Sequence, residues 1–136
     1  MEKVTLSARV ILGLMFFVFG LNGFLQFMPM PEPSEAGGVF LGALAATGYF
    51  FPVMKIVEII SGALLLAGRF VGLALVLISP VVVQIFLYHA ALDASGMGLA
   101  ILLVILTAYL GFYGYRSSFD GILSSGAGGG GGGDAE

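Results

Sequence analysis

The chain has no cysteine and a single histidine, His89, among its 136 residues. Without thiols it can form no disulfide of its own, perform no dithiol chemistry and offer no thiolate to a metal. With one imidazole, a transition-metal site built by this chain is not expected either. Charge is scarce as well: Asp, Glu, Lys and Arg together make up 10% of the residues. The net charge is −3, and three acids, Asp120, Asp134 and Glu136, follow the last apolar run. The basic surface that nucleic-acid binding requires is therefore missing. There is also no phosphate loop with its lysine, no Ser/His/Asp set placed for nucleophilic attack and no HExxH. The glycine run near the C-terminus follows no strand and is no phosphate cradle. Nothing here reads as an enzyme acting by itself.

Apolar side chains fill the space left by these absences. Hydrophobic residues make up 59% of the chain and the mean hydropathy is +1.08. A soluble domain of this size leaves too many residues exposed to hide such a composition, so the expected solvent is lipid. Four runs are long enough to cross a bilayer, at about 20 residues each: residues 10–28, 49–68, 70–89 and 97–115. The first run is longer than a signal-peptide core, and the nearest small-x-small site, Ser34-Glu-Ala36, follows a proline-rich loop, so cleavage is not expected. Pro29, Pro31 and Pro33 end the first run. After them, GGVFLGALAAT (37–47) is too short to span and predicts a small helix at the interface. Gly68-Arg69 is a minimal connection that forces an antiparallel hairpin, and Pro80, inside the third span, is expected to kink it. From Ser124 the composition collapses to a glycine-rich stretch expected to be a disordered tail. The expectation is an all-α, integral membrane four-helix bundle (1–123), with a short extra helix in its first outer loop.

Lys3, Arg9, Arg69 and Arg116 all flank the spans on one side, whereas the other two loops carry only Glu32, Glu35 and Asp93. The positive-inside rule then places both termini in the cytoplasm. On that orientation polar residues gather in the outer half of the bilayer. Asn22 and Gln26 lie one turn apart on the first span, and Gln84, Tyr88 and His89 lie near the outer end of the third. Lys55 and Glu58, three residues apart, fall on nearly the same face of the second span. A charge inside a span costs about 2.5–3.5 kcal/mol on insertion scales, so such residues are rare unless paired, hydrated or functional. Asn22, Gln26, Lys55, Glu58, Gln84 and His89 are thus the candidate ligand-binding residues. Two plainer readings stand beside this one. The amides and the Lys55–Glu58 pair would serve as helix–helix glue, and His89 with Asp93 four residues on would be a hydrogen-bonded turn. A buried acid–base pair beside a histidine would also suit proton relay.

Several of these stretches recur together in a known family. RVILGLMFFVFGLNGFLQFMPMP, TGYFFPVMKIVEIISGALLLAGRFVGLAL and SPVVVQIFLYHAALD stand in order over Arg9 to Leu123. Within them are G-L-N around Asn22, E-x-x-x-G at Glu58 and Gly62, and Pro80, Gln84 and His89 in P-x-x-x-Q-x-x-x-x-H. In these motifs the chain resembles the DoxX family of small four-span bacterial membrane proteins. Family members often carry Lys where this chain has Gly23 and Asn where it has Gln84, and the first departure weakens any expectation that span one brings a cation to the site. The resemblance implies a bacterial cytoplasmic membrane location. It also implies an accessory role in a redox- or quinone-linked membrane complex, since the family takes its name from a subunit of an archaeal thiosulfate:quinone oxidoreductase. With no cysteine, that role would be a quinone-site or anchor subunit, beside a redox partner subunit or a second copy of the chain. A small proton-coupled transporter and a purely structural membrane protein are the alternatives.

Overall fold

A computed structural model describes residues 2–123. The glycine-rich stretch expected to be a tail, 124–136, lies outside the described residues. Helix α1 is Glu2–Leu25, α2 is Glu35–Ala46, α3 is Phe50–Ala67 and α4 is Val71–Ala91. A 3-10 turn, Ala94–Gly96, leads into α5, Met97–Tyr109, which continues through a π-helical turn, Leu110–Gly114. A second 3-10 turn, Arg116–Phe119, and the short α6, Asp120–Leu123, close the described chain. Among the described residues there is no strand. Four helical segments are long and apolar enough to cross a membrane: Glu2–Leu25, Phe50–Ala67, Val71–Ala91 and Ala94–Gly114. The protein is an all-α, multi-pass membrane bundle of four helices with one short extra helix between the first two spans.

The helix ends follow local chemistry. α1 starts eight residues before the apolar run expected to span, because Glu2, Lys3 and Arg9 simply carry the helix past the apolar stretch. It stops at Leu25, where Gln26 takes a left-handed backbone conformation (φ 50°). The Asn22 amide then captures the departing chain, donating to the Met28 carbonyl at 3.2 Å and accepting from the Met28 N–H at 2.8 Å. These two bonds replace helical ones lost just before Pro29. α2 begins at Glu35 rather than Gly37 because Ser34 is its N-cap, its hydroxyl accepting from the Gly37 N–H at 3.1 Å. Between α3 and α4, Gly68 adopts φ 69°, and the Arg69 N–H bonds the Leu64 carbonyl at 3.1 Å. A left-handed glycine with this back-bond is an efficient helix stop, so the hairpin turns within three residues.

α1 packs antiparallel against α3 over a longer seam than any other pair, and α3–α4 and α4–α5 contacts complete the bundle. The seam is close because two backbones meet at glycine. A Cβ on Gly62 would stand 2.5 Å from the Phe17 nitrogen and 2.8 Å from the Gly13 carbonyl oxygen. A Cβ on Gly20 would stand 3.0 Å from the Ile59 nitrogen. No side chain fits there without parting the helices, which is how membrane helices gain dispersion contact when lipid gives them no hydrophobic drive. Leu12 and Phe16 from α1, Leu65 from α3, Leu75 and Ile78 from α4 and Leu110 beyond α5 fill the centre. Pro80 sits on an exposed face of α4, and the helix runs unbroken past it.

Candidate functional site at the loop end of the bundle

The α1–α3 seam opens at its far end, next to the α1–α2 loop. Lys55 lies one turn into α3, and its Nζ stands 3.1 Å from Glu58 Oε2. The Glu58 side chain is 4% exposed and that of Lys55 22%. The pair therefore has a buried acid and a cation that still reaches open space. The stem of Lys55 lies across Gly23: a Cβ on that glycine would meet Lys55 Cγ, Cδ and Cε at 2.5, 2.7 and 2.9 Å. Gly23 is thus more than the absence of the lysine that the resemblance leads one to expect there. Its bareness is what lets the second span's lysine lie over it.

Around Lys55 is an open cavity of about 650 Å³. Its polar wall is Asn22, Gln26 and Lys55, and its apolar wall is Phe19, Phe27, Met28, Pro29 and Met30. Gln26 is exposed and its side chain has no hydrogen bond within the described residues. Asn22 is 6% exposed with both ends of its amide committed to Met28. It shapes the loop that roofs the cavity, and its Nδ2 keeps a second N–H beyond the one given to Met28. One turn past Glu58, Ser61 is fully buried and its hydroxyl has no partner among the described residues. Ser61 is not among the candidates from sequence, although its spacing from Glu58 puts it on the same helix face.

Two of the six candidate residues are elsewhere. Gln84 is exposed on α4. The buried face of that helix runs through Val71, Ala74, Leu75, Ile78 and Val82, and two residues beyond Val82 a helix has turned about 200°. Membrane depth put Gln84 in the right layer, but depth does not fix which way a side chain faces. His89 belongs to a second cluster. Its Nδ1 bonds the Asp93 carbonyl oxygen at 2.8 Å. A carbonyl only accepts, so Nδ1 carries the proton. The plainer reading of His89, as part of a turn, describes its geometry.

Asp93 is the centre of that cluster and joins two loops. Its carboxylate accepts from the Ser95 hydroxyl at 2.6 Å, from the Ser95 N–H at 3.2 Å and from the Ser34 N–H at 2.9 Å. The Ser34 hydroxyl donates to the Leu92 carbonyl at 2.6 Å. The bond from Ser95, reinforced by the Ser34 N–H, holds the Asp93 carboxyl below its ordinary value. Tyr88 packs against Phe40 of α2, ring centroids 6.0 Å apart. The α1–α2 loop and α2 are thereby fastened to the α4–α5 turn. Ser34 and Asp93 are 59 residues apart, and no local pattern joins them.

Among the described residues no group of three or more His, Asp or Glu side chains is placed to hold a metal ion. No protein-family profile, curated protein or solved structure matches the chain.

Proposed function

We propose that the protein is an accessory subunit of a redox- or quinone-linked complex in a bacterial cytoplasmic membrane, DoxX-like in kind, with both termini in the cytoplasm. The observation that carries this reading is the cavity at the loop end, where an ion-paired lysine meets aromatic, methionine and proline walls. That combination suits a flat, mostly apolar ring bearing carbonyl oxygens. The Lys55 ammonium and the Gln26 amide supply donors for the carbonyls, and Phe19 and Phe27 supply faces for the ring. Glu58 holds Lys55 over Gly23 and keeps its charge balanced. Ligand pockets of this kind are mostly apolar with a few convergent polar groups, and about 300–1,000 Å³ in volume. Having no thiol, the chain would hold a quinone while a partner subunit supplied the electrons.

Thermal unfolding of the detergent-purified protein with and without quinone analogues tests this reading. A ligand that binds only the folded state at 100 times its Kd adds about 2.7 kcal/mol of stability. The wild type is expected to gain Tm with a quinone, and Glu58→Gln, which frees Lys55 to move, is expected to lose most of that gain. Absence of any quinone response removes the quinone reading. Proton-driven flux through the purified protein in liposomes would then favour the transporter alternative.

A further inference from the structure

The other end of the bundle holds a second cation in a different setting. Arg9, on α1, is half-buried. Its Nη1 donates to the Tyr115 hydroxyl at 3.2 Å, its guanidinium lies against Gly68 at the α3–α4 turn, and its Nε is buried with no acceptor among the described residues. Among the described residues the one ion pair is Lys55–Glu58. Among these residues a permanently charged guanidinium with five donors therefore uses one of them, on a neutral phenol, and has no carboxylate against it. An arginine that merely snorkelled would stretch its head into water. This one is folded into the wall of an open cavity of about 560 Å³, together with Thr5, Tyr109, Tyr113 and Tyr115.

The level of this cavity along the bundle bears on what fills it. The uncharged run of the first span starts at Val10, directly after Arg9, so Arg9 marks the boundary between acyl chains and headgroups. Tyrosines are at home at that level. Flanking Arg9 on α1, Leu6 and Val10 are 50% and 37% exposed, a surface for acyl chains. Tyr113 is 74% exposed and offers its phenol as a further donor. One acid, the exposed Glu2, shares the cavity wall. It opposes a multiply charged anion more than a phosphodiester carrying a single charge. Arg69 and Arg116 flank the spans at this same end, which draws anionic lipid to it.

We propose that this cavity is a headgroup site for an anionic phospholipid, with the phosphodiester held by Arg9 and the cavity tyrosines. Guanidinium–phosphate contact is short, charge-assisted and often bidentate. It would supply the counter-ion that Arg9 lacks among the described residues.

The test uses the full chain in a neutral detergent, with short-chain phosphatidylglycerol, short-chain phosphatidylcholine or inorganic phosphate added separately. Phosphatidylglycerol is expected to raise Tm clearly more than phosphatidylcholine. Arg9→Gln is expected to lose that preference and Arg9→Lys to keep part of it. Inorganic phosphate alone is expected to leave Tm unchanged. An equal phosphatidylglycerol response in wild type and Arg9→Gln, or no preference over phosphatidylcholine, overturns the site. A shift with inorganic phosphate as large as with the lipid overturns the lipid assignment in favour of a free anion. Should Arg9→Gln not fold, native mass spectrometry of the wild type decides. Phosphatidylglycerol adducts are expected to survive collision energies that strip phosphatidylcholine, and equal loss of both overturns the proposal.

Discussion

The two ends of the α1–α3 seam each hold a cation, and they hold it differently. At the loop end Lys55 is ion-paired to Glu58 on its own helix, one turn away. At the basic end Arg9 leans on Tyr115, 106 residues along the chain. The first arrangement closes its electrostatics locally and leaves the cation facing a cavity. The second leaves a charge uncompensated within the described residues. A self-contained pair can release one hydrogen-bond donor to a neutral ligand such as a carbonyl compound, whereas an unpaired guanidinium calls for an anion. Between these ends the glycine seam fixes the distance between the two helices, so the two sites depend on the same packing.

Breaking the pair on one side is the most damaging change to this comparison. Lys55→Met leaves the Glu58 carboxylate buried without its partner, a change that costs about 3–5 kcal/mol. Lys55→Met/Glu58→Leu removes both charges and is expected to be neutral or stabilising by urea or thermal unfolding, as replacement of a buried pair often is. Separating the helices comes next. Gly62→Ala drives a Cβ onto backbone atoms of Phe17 and Gly13, and overpacking of this kind costs about 1–3 kcal/mol. Both the quinone response and the lipid response should weaken in that variant. Tyr115→Phe removes the one hydrogen bond that the Arg9 guanidinium makes among the described residues and should cost about 1 kcal/mol, near the ordinary net value of such a bond. It should leave the quinone response intact, which sharpens the separation of the two ends.

The smallest effect is expected at Asp93, and it depends on pH. Its carboxyl is held below the ordinary value in the folded protein, so the folded state binds that proton less readily than the unfolded chain does. The stability it contributes is present above the ordinary carboxylate range and is lost as pH falls through the lowered folded value. Asp93→Asn should lower Tm at neutral pH, and the gap to wild type should close in acid. A gap that stays constant with pH would mean that the carboxylate charge contributes nothing to fastening the loops.

Much of the fold was readable because membrane helices announce themselves by length. The four apolar runs, the proline-rich loop and the Gly68-Arg69 hairpin each rest on neighbouring residues. The Lys55–Glu58 pair was readable for the same reason, since three residues along a helix is a local distance. What failed to emerge depends on contacts between distant segments. The bareness of Gly23 acquires meaning only when Lys55 crosses it, and Ser34 meets Asp93 only across two loops. Gln84 was placed with the site by its depth, but the buried stripe of α4 runs along the other side of the helix. His89 lies at the expected level yet bonds its own turn. Helix starts were misjudged where polar residues set them, as Ser34 does for α2.

The central claim is that a quinone ring lies between Lys55 and the walls contributed by the end of α1 and the loop after it. Photolabelling the detergent-purified protein with an azidoquinone, followed by peptide mapping, tests it directly. The account predicts label within residues 19–30 or at Lys55, competed by unlabelled quinone and lost in Gly23→Ala, whose added Cβ displaces the lysine. Label confined to α4 or α5, or label that unlabelled quinone does not compete, would contradict it.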